Sequence, residues 1–335
     1  MTRQLPKPTM HRRTVKMADF PALTLKECAD RIISTEKPLV LMHIRPDGDT
    51  VGSCAALCEI FKELGREVKY ACDDAIPDRL AFLLSDFEPA EELDGYDPVS
   101  IDVASPSQLG GLADKINVCF MIDHHEISTP FAPHYTVRGA SSAGEVLYSI
   151  ARELEARGLI KISQRMAYLL YAAISSDTGG FIFSNAKEST YLAAAHLVSL
   201  GIDHADANHR LFMSKSKDQI LAEGFTASKL KTHADGRISY ATISRADAES
   251  LGIGIEHFET AIDIVRSVLG SQIAFVIKET DRGLKASMRS VGANVAEVAA
   301  RHGGGGHIRA AGCNIVADSA EDAARILLSE LEEIL

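Results

Sequence analysis

Histidine and aspartate recur in this chain at places suited to a metal centre. His43, Asp47 and Asp49 share the segment HIRPDGDTVGS, and Asp102 lies in VSIDVAS. Asp123, His124 and His125 are consecutive in NVCFMIDHH, and Asp177 precedes Thr178-Gly179-Gly180. Carboxylate and imidazole together suit Mn²⁺ or another first-row divalent ion. Four aspartates gathered without compensation would repel: two unit charges about 4 Å apart cost roughly 4 kcal/mol at an effective dielectric near 20. Two divalent cations would neutralise them, and a pair of ions about 3.5–4 Å apart is the usual geometry for hydrolysing a phosphate ester. Any one of these aspartates alone reads as a turn or cap residue. Their joint placement at strand ends, with His43 and His124, points to a binuclear centre.

The stretch RHGGGGHIRAAG is the second notable cluster. Glycines let backbone N–H groups approach an anion closely, and a following helix start would add a favourable dipole. His307 and Arg309 put donors nearby, and Arg289 ends the strand-like KASMRS. Alone, the glycine run reads equally as a flexible loop. His196, His204 and His209 lie in helix-like segments and read as surface or hydrogen-bonded core residues. Ser53 and Ser142 read as helix starts, and Phe181 and Phe183 as packing residues.

The elements that must position these groups follow from periodicity. From residue 37 short apolar runs alternate with helix-like segments, which indicates an α/β fold with a doubly wound, mostly parallel sheet. Strands are expected at 37–44, 68–72, 99–103 and 117–122, with a helix at 53–64. Their near-continuous apolar character suits strands covered on both faces. In such a sheet the C-terminal strand ends line one crevice, so the distant His and Asp groups should converge. Residues 141–212 read as helices starting near Ser141, Ser163, Glu188 and His204. After a polar linker, a smaller α/β domain is expected, with strands at 237–243, 272–278 and 284–289 and helices at 256–269, 294–301 and 319–334. The expected organisation is a flexible arm (1–20), a metal-binding domain (21–212), a linker (213–235) and a substrate-binding domain (236–335).

Composition narrows the classes. The chain has 335 residues, 46% hydrophobic and 24% charged, with a formal net charge of −11. An acidic chain does not suit a clamp on duplex DNA, and 6% aromatic content without tryptophan argues against an extended base-stacking platform. No run approaches the roughly 20 apolar residues that span a bilayer. The basic N-terminus lacks the apolar core of a secretory signal. Six cysteines without a CxxC pair, Cys54 and Cys58 among them, read as reduced thiols. A cytoplasmic location is expected.

The segments H-I-R-P-D-G-D-T-V-G-S, I-D-V-A-S, I-D-H-H and S-S-D-T-G-G resemble, in order, the four motifs of the DHH phosphoesterase superfamily. S-M-R-S and G-G-G-G-H-I-R-A-A-G resemble its DHHA1 substrate-binding domain, and the match runs over residues 37–316. The short two-domain form is similar to the bacterial oligoribonuclease/pAp phosphatase (NrnA) group. This resemblance implies two divalent ions, Mn²⁺ foremost, with Mg²⁺ or Co²⁺ as alternatives. His43, Asp47 and Asp102 would hold one; Asp49, Asp102, His124 and Asp177 would hold the other, with Asp102 bridging. His125 would face the substrate phosphate as electrophile or general acid, and Asp123 would orient a histidine.

The resemblance further implies that Arg289, Ser290, Gly304, Gly305, Gly306 and His307 contact the substrate's terminal phosphate and base. It implies short single-stranded RNA or DNA, pAp or linear dinucleotides as substrates, with neither duplex DNA nor a membrane as partner, and a homodimer. The alternatives are a linear- or cyclic-dinucleotide phosphodiesterase, a RecJ-like exonuclease, a family-II pyrophosphatase and a non-catalytic nucleotide sensor. The chain departs from the family pattern at Val103, where relatives usually carry Thr, and in having no Arg at 105–112.

Overall fold

A computed structural model describes residues 20–335; the arm expected at 1–20 falls outside the described residues except for Phe20. Two compact units divide after Met213. The first contains α1 (Leu25–Ser34), β1 (Pro38–Leu41), α2 (Gly48–Glu63), β2 (Lys69–Ala71), β3 (Asp97–Ile101), β4 (Phe120–Asp123) and β5 (His134–Thr136). There follow α3 (Ala143–Ala156), α4 (Gln164–Asp177), α5 (Glu188–Ser199) and α6 (His204–Asn208), which continues into a π-helical turn at His209–Met213.

All five strands pair in parallel, in the order β2-β1-β3-β4-β5. Both faces are covered, which is why the strands read as continuous apolar runs. Val40, Val99, Phe120 and Ile122 pack under α2, α3 and α4, while Leu39 and Leu41 face a smaller cluster with Val103, Leu109 and Leu112. Strand order reverses direction between β1 and β3, and such a switch point opens a crevice at the strands' carboxyl ends. His43 leaves β1 there and Asp102 leaves β3.

Glycines bring the helices close. A Cβ at Gly48 would lie 2.3 Å from Ser176 Oγ, one at Gly52 would lie 3.1 Å from Ala173 N, and one at Gly144 would lie 2.6 Å from Ala173 Cβ. The first turn of α2 can therefore approach the end of α4 only because these side chains are absent. That contact brings the α2 aspartates beside Asp177.

Several expectations need correction. The helix expected from Ser53 begins at Gly48, because Asp47 caps it: its Oδ1 accepts the N–H groups of Asp49 (3.0 Å) and Thr50 (3.1 Å). Asp49 is therefore helical, and Ser53 sits inside α2, not at its start. Ser142 and Ser163 do cap helices, accepting from Glu145 N and Met166 N. Strand β5 was not expected; it is short, polar and half-buried. Among the described residues no helix is long and apolar enough to cross a membrane.

The second unit contains α7 (Lys217–Ser228), β6 (Lys231–His233), β7 (Ile238–Ile243), α8 (Arg245–Ser250), α9 (Ala261–Arg266), β8 (Ile273–Thr280) and β9 (Gly283–Ser290). It ends with α10 (Val295–Arg301), β10 (Gly305–His307), β11 (Ala310–Ile315) and α11 (Ala320–Glu332). The sheet order is β10-β11-β9-β8-β7-β6, antiparallel except for β7 with β8. Val295, Val298 and Leu327 from α10 and α11 cover one face; Ala222 and Val265 from α7 and α9 cover the other over β7 and β8.

Of the linker expected at 213–235, Met213 ends the first unit and the rest belongs to the second, where it contains α7 and β6, with α7 packed in through Ala222 and Phe225. The helix expected at 256–269 is a 3₁₀ turn (Ile255–Phe258) followed by the short α9. The glycine run does not lead into a helix. It ends one: Gly303 (φ 70°) donates to Ala300 O and Gly304 to Ala299 O, a Schellman closure of α10. The next residues form β10, so the helix dipole expected to favour an anion is absent, and the nearest helix end is the carboxyl end of α10.

Candidate metal centre

Six of the expected side chains converge at the carboxyl ends of β1, β3 and β4 and at the facing ends of α2 and α4. His43 Nε2 lies 3.9 Å from Asp47 Oδ1 and 3.5 Å from Asp102 Oδ2. His124 Nε2 lies 3.4 Å from Asp102 Oδ1 and 3.7 Å from both Asp49 Oδ2 and Asp177 Oδ2. The two oxygens of Asp102 thus face different imidazoles. The donor atoms of His43, Asp47 and Asp102 lie within 4.8 Å of one another, as do those of Asp49, His124 and Asp177.

These spacings fit an ion. Ligands about 2.0–2.2 Å from one small cation lie roughly 3.0–3.6 Å apart, and most pairs here are at or just beyond that range. Asp102 Oδ1 is buried and accepts no hydrogen bond of normal geometry among the described residues. A buried, under-satisfied carboxylate oxygen is costly unless a cation meets it.

The imidazoles are aimed by backbone carbonyls. His43 Nδ1 lies 2.8 Å from its neighbour's Ile44 O, and His124 Nδ1 lies 3.3 Å from Ala140 O. Donation from Nδ1–H fixes the tautomer and turns Nε2 toward the carboxylates, as metal-ligating histidines require. His125 differs: its Nδ1 lies 2.7 Å from the buried Asp123 Oδ1. Asp123 therefore orients His125, whose Nδ1 also lies 3.7 Å from Asp102 Oδ1.

Asp49 is anchored most heavily. Its Oδ2 accepts Ala143 N–H (2.7 Å), and its Oδ1 accepts Gly144 N–H (3.0 Å) and the Ser53 hydroxyl (3.0 Å). The first turn of α3 thus docks on the first turn of α2 through this carboxylate. Asn185 holds Asp177 in place by donating to both Ser141 O (2.9 Å) and Asp177 O (3.0 Å). Sequence reading missed Asn185 and the α3 N–H groups; only the Ser53 spacing, one helical turn from Asp49, gave a signal.

Electrostatics follow from this crowding. Burial alone would lower His43, but the Asp102 carboxylate beside it and the charge of Asp47 push it up to about 10. His124 is likewise raised, against burial, by Asp102, Asp49 and Asp177. Burial alone would raise Asp102, but the His124 and His43 imidazoles beside it hold it well below the usual carboxylate range. Burial raises Asp177 to about 7, with His124 opposing and Asp47 and Asp102 reinforcing. Burial and the charges of Asp102 and Asp177 also raise Asp49, against three donors that favour its ionised form.

In the second unit, Arg289 and His307 both stand opposite Ala310, one on each flanking strand, so they share a row and a face. Ser290 follows on the opposite face, its hydroxyl donating to Ala293 O. A Cβ at Gly304 or Gly306 would strike the backbone of Gly312 or Ala310, so these two glycines are required by the β10–β11 hairpin itself. Gly305 is exposed and open. Phe181 (φ 68°) packs between Tyr171 and Tyr191, and Phe183 lies over Gly179, as packing residues should.

Residues 37–174 match the DHH family N-terminal domain, and residues 238–334 match the DHHA1 domain. The chain belongs to the DHH family of metal-dependent phosphoesterases, in the form that carries a DHHA1 domain. It is 27% identical over 315 residues to the bifunctional oligoribonuclease and PAP phosphatase NrnA of Thermus thermophilus, covering 92% of this chain and 93% of that protein. It is 28% identical over 308 residues to the protein of the same name from Bacillus subtilis, covering 91% and 96%. The crystal structure of an exopolyphosphatase-related protein from Bacteroides fragilis matches with a TM-score of 0.83 over 92% of this chain and 95% of that one, at 21% identity, and so shares the fold.

The raised His43 and Asp177 make a prediction about the metal-free protein. At pH 7 His43 carries a proton and Asp177 is partly protonated, so a binding cation must displace protons. Titrating Mn²⁺ into metal-free protein should release protons, and apparent affinity should rise with pH between 6 and 8 (calorimetry in buffers of differing ionisation enthalpy reads both). Binding without proton release would contradict this electrostatic picture.

Proposed function

We propose that this protein uses two divalent ions, Mn²⁺ foremost, to hydrolyse short single-stranded oligonucleotides to mononucleotides and to remove the 3′-phosphate of pAp. The observation that carries this reading is the Asp102 carboxylate, whose two oxygens face separate His/Asp groups. His43, Asp47 and Asp102 would hold one ion; Asp49, Asp102, His124 and Asp177 would hold the other. When bound, the ions supply positive charge against these carboxylates and the reacting phosphate, and acidify the attacking water.

The chain's own residues do the rest. His43 and His124, tethered through Nδ1, present Nε2 to the ions. Asp123 holds Nδ1–H of His125 and raises its basicity, against the effect of burial. His125 then passes a proton from Nε2 to the leaving ribose oxygen while the phosphorus–oxygen bond breaks and the water oxygen bonds to phosphorus, and the proton that this water gives up passes to solvent, from which His125 is reprotonated. Arg289 and His307 bind the remainder of the substrate. The names of the Thermus and Bacillus relatives support this substrate class. The net charge of −11 and the lack of tryptophan favour short strands over duplex or long single strands. The free thiols suit a reducing, cytoplasmic setting.

Two measurements test this. With Mn²⁺, the protein should turn over a dinucleotide and pAp faster than a 20-mer at equal concentration; equal or faster turnover of the 20-mer would exclude the short-substrate reading. His125→Ala should lower kcat on a dinucleotide by about 10²–10⁴-fold, but far less on an activated aryl ester of a nucleotide, whose leaving group needs no proton. Equal losses on both substrates would remove His125 as the acid.

A further inference from the structure

Residues 139–141, between β5 and α3, carry none of the converging side chains, yet they hold two of them. The Ala140 carbonyl lies 3.3 Å from His124 Nδ1, and the Ser141 carbonyl accepts from Asn185, whose amide also donates to Asp177 O (3.0 Å). What fixes this segment is a buried carboxylate, that of Glu145. Its Oε2 accepts the Ser141 N–H (3.0 Å), the Ser141 hydroxyl (2.5 Å) and the hydroxyl of Thr190 on α5 (2.8 Å). The Thr190 hydroxyl in turn accepts the Lys187 N–H (3.1 Å), and the Lys187 ammonium donates to Gly139 O (2.6 Å).

Glu145 stands in the first turn of α3, the turn whose Ala143 and Gly144 N–H groups grip Asp49. Its own N–H donates to Ser142 Oγ (3.0 Å), so the backbone of this turn is fixed where the side chain reaches back. One residue thus supports Asp49 through its helix turn, His124 through the Ala140–Ser141 backbone, and Asp177 through Ser141 O and Asn185. The other half of the cluster is held differently. Ile44 O aims His43 and Asp47 caps α2, and among the described residues no hydrogen bond joins either to Glu145, Ser141 or Thr190. Burial alone would raise the Glu145 carboxyl, but the donors at Ser141 and Thr190 hold it below the usual carboxylate range. Hydrogen bonds to an ionised group are roughly twice as strong as neutral ones, and a buried charge is costly without them. The carboxylate and the segment therefore fix each other.

We propose that Glu145 is a positioning residue for one ion of the pair: it sets the affinity of the site formed by Asp49, His124 and Asp177, and leaves the site at His43 and Asp47 unaffected. Groups that hydrogen-bond behind a metal ligand fix its orientation, and losing one costs about 10–100-fold in metal affinity. Without the carboxylate, Ser141 loses the bonds that pin it, and the Ala140 and Ser141 carbonyls no longer hold His124 and Asn185 in register. The two halves of the centre then differ in their supports, although Asp102 belongs to both. The inference rests on the two-ion reading above.

The test compares wild type, Glu145→Ala and Glu145→Gln by calorimetric titration of the full chain with Mn²⁺, and by anomalous diffraction at sub-saturating Mn²⁺. In Glu145→Ala one of the two ions should bind about 10–100-fold more weakly, and the manganese peak should fade beside His124 while it persists beside His43. Glu145→Gln keeps the shape and loses the charge, so its loss should be smaller and at the same site. If Glu145→Ala does not fold, Glu145→Gln alone decides, by a loss confined to the ion beside His124. Equal weakening of both ions, as a general loss of packing would give, or weakening of neither, overturns the proposal. Wild-type protein that binds a single ion overturns the two-ion reading instead.

Discussion

Asp102 is a buried carboxylate held in a left-handed backbone conformation (φ 60°) between two imidazoles. A non-glycine residue there costs on the order of 1–3 kcal/mol and persists only where its surroundings over-determine it. Here they do. The Asp102 N–H is tied to Ile122 O on the neighbouring strand, and its two oxygens meet His43 and His124. A buried negative charge needs positive charge beside it. Protonated imidazoles meet that need in the metal-free protein, and divalent ions would meet it in the working enzyme. The parallel register of β1, β3 and β4 serves this constraint, because it brings three strand ends to one level.

The helices answer the same demand from the other side. Asp49 projects from the first turn of α2, where Asp47 caps the helix, and it is gripped by the first N–H groups of α3. Asp177 ends α4, and Gly48, Gly52 and Gly144 let the three helices approach closely enough for the carboxylates to share a cleft. Tight packing and the crowding of charge are therefore one feature. The helices cannot separate without releasing the ligands, and the ligands cannot gather without small residues between the helices.

Much of this was legible in the residues. Apolar runs ending in His43, Asp102 and Asp123-His124-His125 announced both the parallel sheet and the side of it that carries chemistry, since periodicity and strand direction are local properties. The start of α2 was not, because Asp-Gly-Asp suits a turn as well as a cap, and only the Asp47 bonds to Asp49 and Thr50 decide between them. The glycine run was ambiguous for a similar reason. Glycine serves a phosphate cradle, a helix terminus and a close strand pair alike, and Gly303, Gly304 and Gly306 serve the latter two. The carbonyls of Ile44 and Ala140 that aim the histidines were invisible, because every residue carries one and only the fold chooses which is used. The polar surface of α7 concealed that this segment belongs to the second unit, into which it packs through Ala222, Phe225 and Thr226.

The binuclear centre is tested most directly by anomalous diffraction from crystals of the Mn²⁺-loaded protein. Two manganese peaks about 3.5–4 Å apart, both within bonding distance of the Asp102 carboxylate, with His43 on one and His124 on the other, are the expected result. A single peak that leaves Asp102 unbound, or His43 and Asp177 without an ion near either, would contradict the account.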